Sequence, residues 1–201
     1  MRTPTKTAAT MNAAAKTAAA KTAVRHQYAL VVDTNKCIGC EACSVACRVE
    51  NDVPDGHWRS RIMPPTSGGA KVPLKWSCMH CADAPCVRVC PTKATYRRAD
   101  GIVVIDAAKC VGCKYCIVAC PYGARYFDEK KGIPDKCDLC VDRVDAGLEP
   151  ACVQTCVGRA LALADLADPK DKNAARIRSG EAIPLHPELG TRPSVYYVVG
   201  K

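Results

Sequence analysis

Two twelve-residue stretches, KCIGCEACSVAC at 36–47 and KCVGCKYCIVAC at 109–120, spell one phrase twice with four cysteines in each. The 201-residue chain has sixteen cysteines, and every one falls into one of four groups of four. Group one is Cys37, Cys40, Cys43 and Cys47; group two is Cys78, Cys81, Cys86 and Cys90; group three is Cys110, Cys113, Cys116 and Cys120; group four is Cys137, Cys140, Cys152 and Cys156. Groups one and three read C-x2-C-x2-C-x3-C, group two C-x2-C-x4-C-x3-C, and group four C-x2-C-x11-C-x3-C. Zinc sites pair two C-x2-C knuckles around one tetrahedral ion. A loop with a cysteine at every third position instead wraps one corner of a cube of iron and sulfide. The last cysteine follows one helical turn later, faces away from that corner, and is free to ligate a second cube. Disulfides need no such spacing, and neighbours in a tight loop would compete to pair. Four iron–sulfur clusters are therefore the expectation, with a zinc scaffold and a disulfide framework as the alternatives.

Charge and composition agree with clusters. The formal net charge is +9, and five of the positive residues (Arg2, Lys6, Lys16, Lys21, Arg25) precede residue 26, where no acid occurs. A cubane held by four thiolates carries about −2, so four bring about −8 and leave the loaded protein near +1. The basic excess then serves as counter-charge, which argues against nucleic acid as a partner. One Phe and two Trp cannot build a large aromatic core. Clusters acting as cross-links replace it, and the metal-free chain is expected not to fold. No stretch approaches the roughly 20 apolar residues of a membrane span. Residues 1–24 lack an apolar segment and an Arg-Arg pair, so neither a Sec nor a twin-arginine signal is read there. A mobile tail or a lone Ala-rich helix is expected in preference to an organelle transit peptide.

Around the cysteines, YALVVD (28–33) predicts a strand, and the stretch 48–77 a loop-rich insertion, with HWRSRIM and KVPLKW as the arms of a candidate hairpin. ATYRRADGIVVID (94–106) predicts a hairpin with Asp100-Gly101 as a two-residue turn. GARYF and GRALALA predict short strands, and the terminal SVYYVV another. DPKDKNAARIRSG (168–180) fits a helix with Asp168 as N-cap, Pro169 in the first turn and Gly180 as stop. The repeat extends beyond cysteine: Asp33 matches Asp106, Lys36 matches Lys109, and Gly39 matches Gly112. Each copy orders strand, cysteine loop and short helix, as after duplication of one unit. Pro91 and Pro121 follow groups two and three, and C-x2-C-x2-C-x3-C-P is the signature of bacterial two-cluster ferredoxins.

In this order and spacing the four groups resemble the four-cluster iron–sulfur subunit of the dimethyl sulfoxide reductase superfamily of molybdopterin oxidoreductases, over about residues 28–165. The C-terminal HPELGTRPSVYYV resembles the polysulfide, thiosulfate, tetrathionate and arsenate reductase branch. The resemblance implies an α+β fold of two interleaved ferredoxin-like dicluster units, one inserted in the other. The segments would be a cationic tail (1–26), the first half of the outer unit with the insertion (27–77), the inner unit (78–130), the second half of the outer unit (131–165) and a C-terminal extension (166–201). It implies reciprocal ligand sets: Cys37, Cys40, Cys43 and Cys156 for the first cluster; Cys137, Cys140, Cys152 and Cys47 for the second; Cys78, Cys81, Cys86 and Cys120 for the third; Cys110, Cys113, Cys116 and Cys90 for the fourth. Some relatives have Trp at the position of Cys113 and carry a three-iron cluster; Cys113 implies four [4Fe–4S] clusters here.

The function implied is a non-catalytic electron relay between a molybdopterin (Mo or W) subunit near the first cluster and a membrane quinone-reactive subunit, or another redox partner, near the fourth. The expected location is peripheral on the cytoplasmic membrane, on its outer face. A radius of gyration of about 16 Å makes the body about 40 Å across, which leaves short gaps between four clusters. No Gly-rich dinucleotide loop, paired carboxylates or Ser/His constellation suggests substrate chemistry in this chain. The alternatives are the same relay in a formate dehydrogenase or hydrogenase complex, and a free multi-cluster ferredoxin. Lys36, Lys109 and Lys136, each before a first cysteine, are expected on the solvated surface, with a rise in cluster potential as the alternative role. His80 is not expected to ligate iron, Trp58 and Trp76 are expected to pack, and Arg59 and Arg61 to lie on a solvated face.

Overall fold

A computed structural model describes residues 26–65 and 72–200. The expected tail lies outside these residues but for its last position, as does most of the PPTSGG stretch. In chain order the first elements are β1 (Tyr28–Asp33), α1 (Ala42–Glu50), β2 (Ser60–Met63), β3 (Leu74–Ser77), α2 (Pro85–Arg88) and β4 (Thr95–Arg97). Then come β5 (Val103–Ile105), α3 (Tyr115–Val118), β6 (Tyr126–Asp128), β7 (Ile133–Asp135) and α4 (Val141–Asp145). The last are α5 (Ala151–Gln154), β8 (Leu161–Asp165), α6 (Lys172–Arg178), β9 (Ile183–Pro184) and β10 (Val195–Val198).

One four-stranded sheet runs in the order β8–β1–β10–β9, and β2–β3, β4–β5 and β6–β7 are separate hairpins. β1 is parallel to β10 (Leu30 opposite Val195) and antiparallel to β8 (Tyr28 opposite Asp165). Alternation of side chains gives the sheet two faces. Leu30, Val32, Leu161, Val195 and Tyr197 join a core that contains Cys43, Cys78, Cys81, Cys86, Cys116, Cys137 and Cys152. Ala29, Val31, Ala164 and Val198 pack on the other side with Ala174 of α6. Small alanines on that face let α6 lie close. The sheet is thus a partition between the cysteines and one covering helix.

The helices near cysteines are mostly one turn long, too short to persist without packing. Pro85 opens α2, and Pro91 and Pro121 close the turns after Cys90 and Cys120, since proline has no N–H to continue a helix. No proline follows Cys47, and α1 runs on to Glu50. α1 packs against α5, and α2 against α3.

Two local expectations are corrected. The 94–106 hairpin forms, but its loop has three residues: the Arg98 N–H donates to the Ile102 carbonyl at 2.8 Å and the Gly101 N–H to the Arg98 carbonyl at 3.1 Å. Gly101 sits at φ +92° while Asp100 keeps negative φ, so the turn is type I with a bulged glycine, not the doubly left-handed two-residue form. Asp100 instead uses its carboxylate to accept the Ile102 N–H at 3.1 Å. The C-terminal helix begins later than expected, because Asp171, not Asp168, caps it by accepting the Asn173 and Ala174 N–H groups at 2.7 and 2.8 Å. Past that helix the chain clasps both cysteine regions. Residues 191–194 hydrogen-bond the loop of residues 79–83, and the Tyr197 hydroxyl donates to the Lys75 carbonyl at 2.7 Å.

Candidate metal centres

The two repeated loops have closely matched backbones. Gly39 and Gly112 lie at φ +70° and +68°, and Glu41 and Lys114, just before the helices, at φ +61° and +65°. The left-handed glycine turns the chain back after each C-x-G-C, which brings cysteines of one loop to one side. Asp33 and Asp106 brace the loops by ion pairs to Lys36 (3.8 Å) and Lys109 (2.9 Å). None of the five short helices that follow cysteine loops has a side-chain N-cap, whereas α6, remote from cysteine, does. Amides near the cages point at sulfur instead: Ala160 N–H donates to Cys156 Sγ at 3.2 Å and Thr95 N–H to Cys90 Sγ at 3.4 Å.

The folded chain gathers thiols across groups. A cavity is lined by Cys37, Cys40 and Cys43 together with Cys156 of group four. Burial pushes the Cys47 thiol up to about 12; Lys75 works against this, and the sulfurs of Cys152 and Cys140 add to it. The Asn51 side-chain amide reaches Cys47 Sγ at 3.8 Å and Cys140 Sγ at 3.9 Å. Burial likewise pushes Cys137 well up, opposed by Lys75 and reinforced by Cys47, Asp138 and Cys152. In the other region burial pushes Cys81 up to about 12; a Thr191 hydrogen bond opposes the shift, and Cys78, Cys86 and Cys120 reinforce it. Cys116 has Cys110 and Cys113 as neighbouring thiols. Cys90 follows α2, which packs against the helix bearing Cys116; its own nearest partners are Thr92 and Thr95.

All sixteen cysteines are free thiols. Among the described residues, no three Cys, His, Asp or Glu side chains converge as they would around one ion with thiolates about 2.3 Å away. Thiols spread around shared interior space suit the larger cubane. A second observation fits an anionic group: among the described residues, Nη1 and Nη2 of Arg125, a buried residue, meet no oxygen or nitrogen partner, only the sulfurs of Cys86 and Cys116. Clusters held by thiolates supply the missing negative charge.

Other expected residues divide. Lys36 and Lys109 are exposed, as expected, but Lys136 is buried, and its ammonium donates to the carbonyls of Val103 and Cys137. Arg59 is no surface residue either. Its guanidinium is a fork to Asp135 (2.8 and 2.9 Å) and reaches Asp138 at 2.8 Å and Asn51 at 2.6 Å. Asp135 and Asp138 flank Lys136-Cys137, so the charge that holds group four in place had to come from elsewhere in the sequence. His80 is buried and accepts the Val103 N–H on Nδ1 at 3.1 Å. Trp76 is partly buried, donating to the Tyr122 carbonyl at 2.8 Å, while Trp58 is exposed. Sequence reading passes over Lys75 and Arg125, since a lone cation in a strand or loop carries no mark of burial.

Comparison with known proteins agrees with this architecture. The 4Fe–4S dicluster domain family matches residues 72–166, and the 4Fe–4S binding domain family matches residues 30–50. The B subunit of tetrathionate reductase from Salmonella typhimurium is 44% identical over 182 residues, covering 87% of this chain and 73% of that protein. The B component of polysulfide reductase from Wolinella succinogenes is 44% identical over 184 residues, covering 87% and 95%. The thiosulfate reductase electron transfer subunit of Salmonella typhi is 46% identical over 143 residues, covering 68% and 74%. The protein belongs to the iron–sulfur electron-transfer subunits of the dimethyl sulfoxide reductase superfamily. It carries four [4Fe–4S] clusters and relays electrons as the iron–sulfur subunit of a reductase-type complex, with chemistry on substrate left to a catalytic partner. Among the described residues no helix is long and apolar enough to cross a membrane.

Proposed function

We propose that the chain is a four-cluster wire with one end at group one and the other at group three. The carrying observation is that, of the sixteen cysteines, only Cys40 and Cys113 are exposed, at matching positions of the two repeats. Exposed aliphatics ring both, Ile38 and Val45 at one and Val111 and Val118 at the other, with Ile38 at 68% and Val111 at 66% accessibility. Apolar patches of this kind mark protein interfaces. The other fourteen cysteines are buried or half-buried.

The ligand sets follow the reciprocal scheme. Cys37, Cys40, Cys43 and Cys156 hold the first cluster, Cys137, Cys140, Cys152 and Cys47 the second, Cys78, Cys81, Cys86 and Cys120 the third, and Cys110, Cys113, Cys116 and Cys90 the fourth. The thiol neighbourhoods support the first three sets, and the packing of α2 on α3 supports the fourth. Groups one and four lie in an outer ferredoxin-like unit and groups two and three in an inner one inserted at residues 78–130. The pairing of β1 with β8 across that insertion supports this division. Bound clusters supply one-electron redox chemistry; the residues of this chain hold them, exclude water and set their charge environment.

By family, the end at Cys40 meets a catalytic subunit carrying molybdopterin with Mo or W. The end at Cys113 meets a membrane quinone-reactive subunit, so the protein sits peripherally on the cytoplasmic membrane, at its outer face. The test is metal analysis of the complex drawn anaerobically from its native host. About sixteen iron atoms per chain, with Mo or W at about one per complex, are expected from four four-iron clusters. Iron with nickel, or with no second metal, would remove the molybdopterin partner, and zinc in place of iron would remove the wire.

A further inference from the structure

Among the described residues three lysine and arginine side chains are buried to at least nine-tenths: Lys75 (1% accessible), Lys136 (1%) and Arg125 (7%). Lys136 is satisfied by two backbone carbonyls. Among the described residues Lys75 has only the Ser77 hydroxyl, at 3.1 Å, and the Arg125 Nη atoms meet no oxygen or nitrogen partner, only the neighbouring sulfurs of Cys86 and Cys116. Neither pairs with a carboxylate among the described residues. A buried charge without a counter-ion is strongly unfavourable, so a fold that keeps two of them receives negative charge from elsewhere.

Their positions name the source. Lys75 lies on β3 and lines the cavity of Cys37, Cys40, Cys43 and Cys156. The sulfurs of Cys152, Cys137 and Cys43 stand around its ammonium. It thus touches the surroundings of both outer ligand sets. Arg125 stands by Cys86, Cys78 and Cys116, sulfurs of both inner sets. Reduction adds an electron to an already anionic cluster. A fixed cation in a low-dielectric interior stabilises the reduced form more than the oxidised one. Lys36 and Lys109, exposed and paired with aspartates, are screened from that role.

We propose that Lys75 and Arg125 are the fixed counter-charges of the relay, one for each pair of clusters, and that each raises the reduction potentials of its own pair. The proposal rests on the ligand sets given above. It is tested in the intact complex by redox titration followed by electron paramagnetic resonance, with iron per chain measured alongside. Cys40→Ser and Cys113→Ser mark the spectral components of the first cluster, in the outer pair, and of the fourth, in the inner pair. Lys75→Met is expected either to lower the potentials of the outer pair or to release that pair, taking iron from about sixteen to about eight per chain. The lowering expected is at least tenfold in the reduction equilibrium, about 59 mV for one electron. Arg125→Gln does the same to the inner pair. Lys75→Arg and Arg125→Lys, which keep the charge, keep both iron and potentials. Four clusters at unchanged potentials in Lys75→Met and Arg125→Gln would overturn the counter-charge role alone. Equal iron loss in the charge-keeping and charge-removing variants would do the same. A Lys75→Met shift falling on the components marked by Cys113→Ser would overturn the pairing, and the ligand sets with it.

Discussion

The loops at 36–47 and 109–120 share glycine angles, bracing aspartates and exposure at each cysteine of the three-cysteine turn, yet they part after the fourth cysteine. Behind Cys47 the helix runs on to Glu50, and Arg48, Glu50 and Asn51 reach Asp55, Arg143 and Arg59. Behind Cys120 stands Pro121, and the backbone turns off at once. Cys47 ends up buried and Cys120 only half-buried. The shared half is what a cluster corner demands. The unshared half decides how each loop is continued: the first by a helix tied into a polar network, the second by a proline turn into the next hairpin.

The largest effects come from the shared half. Cys43→Ser and Cys116→Ser each remove one ligand at a matching buried position. Each is expected to lower iron from about sixteen to about twelve per chain or to prevent folding, because cluster binding is coupled to folding. Iron analysis and the far-ultraviolet circular dichroism spectrum check this; a variant retaining all its iron would take that cysteine out of its ligand set. Next comes the outer network. Arg59→Met removes the cation shared by Asp135 and Asp138, which keep their N–H and hydroxyl partners, so the cost is at the low end of the roughly 3–5 kcal/mol for breaking a buried pair. Denaturant unfolding of the anaerobic protein should show that loss, and Arg61→Met, on the exposed neighbour, almost none. Equal losses would mean that Arg59 acts by packing alone.

Why Arg59 escapes sequence reading is instructive. Its partners lie 76 and 79 residues away, and nothing near HWRSRIM indicates two aspartates folding back onto it. The same holds for Lys75, whose strand alternates ordinarily and whose burial depends on Tyr197 of β10 lying across it. Lys136 misleads because it shares the Lys-Cys pattern of Lys36 and Lys109; only the contact with Val103 on another hairpin sets it apart. What can be read is what covalent spacing dictates: the cysteine grouping, the matched glycines of the repeat, and β1, whose run of apolar residues marks a strand. Asp168 resembles a cap because proline follows it, but Asp171 stands one residue before the first helical position.

A smaller effect separates the two loops at their glycines. Both need φ near +70°, so alanine at either costs about 1–2 kcal/mol for the left-handed backbone. At Gly39 a Cβ would meet only the Pro73 ring, at 3.3 Å, which can shift. At Gly112 it would meet the Gly132 carbonyl oxygen at 2.8 Å, a backbone atom held by the β6–β7 hairpin. Gly112→Ala is therefore expected to destabilise more than Gly39→Ala, by denaturant midpoint at constant slope. The reverse order would show that the β6–β7 loop yields more easily than Pro73.

The smallest effect distinguishes the bracing aspartates. Asp106 accepts the Ala108 N–H at 3.0 Å and has the exposed Lys109 as its ionic partner, so Asp106→Asn, which keeps an oxygen for that amide, should leave stability nearly unchanged. Asp33 is buried and has a second partner, Arg176 of α6, at 2.9 Å. Burial works against its carboxylate, but Arg176, the Asn35 N–H and Lys36 prevail and hold its pKa below the ordinary 3.8. A carboxyl whose folded pKa lies below the unfolded one stabilises fully above the unfolded value and loses that contribution as pH falls through the folded one. The Asp33–Arg176 bond, about 1 kcal/mol, is thus whole at pH 7 and fades below about pH 3.8. Amide exchange in α6 should be faster in Arg176→Gln than in the parent at pH 7 and at pH 5, with the gap closing below pH 4. A gap that stays unchanged down to about pH 3 would take the bracing away from the Asp33 carboxylate.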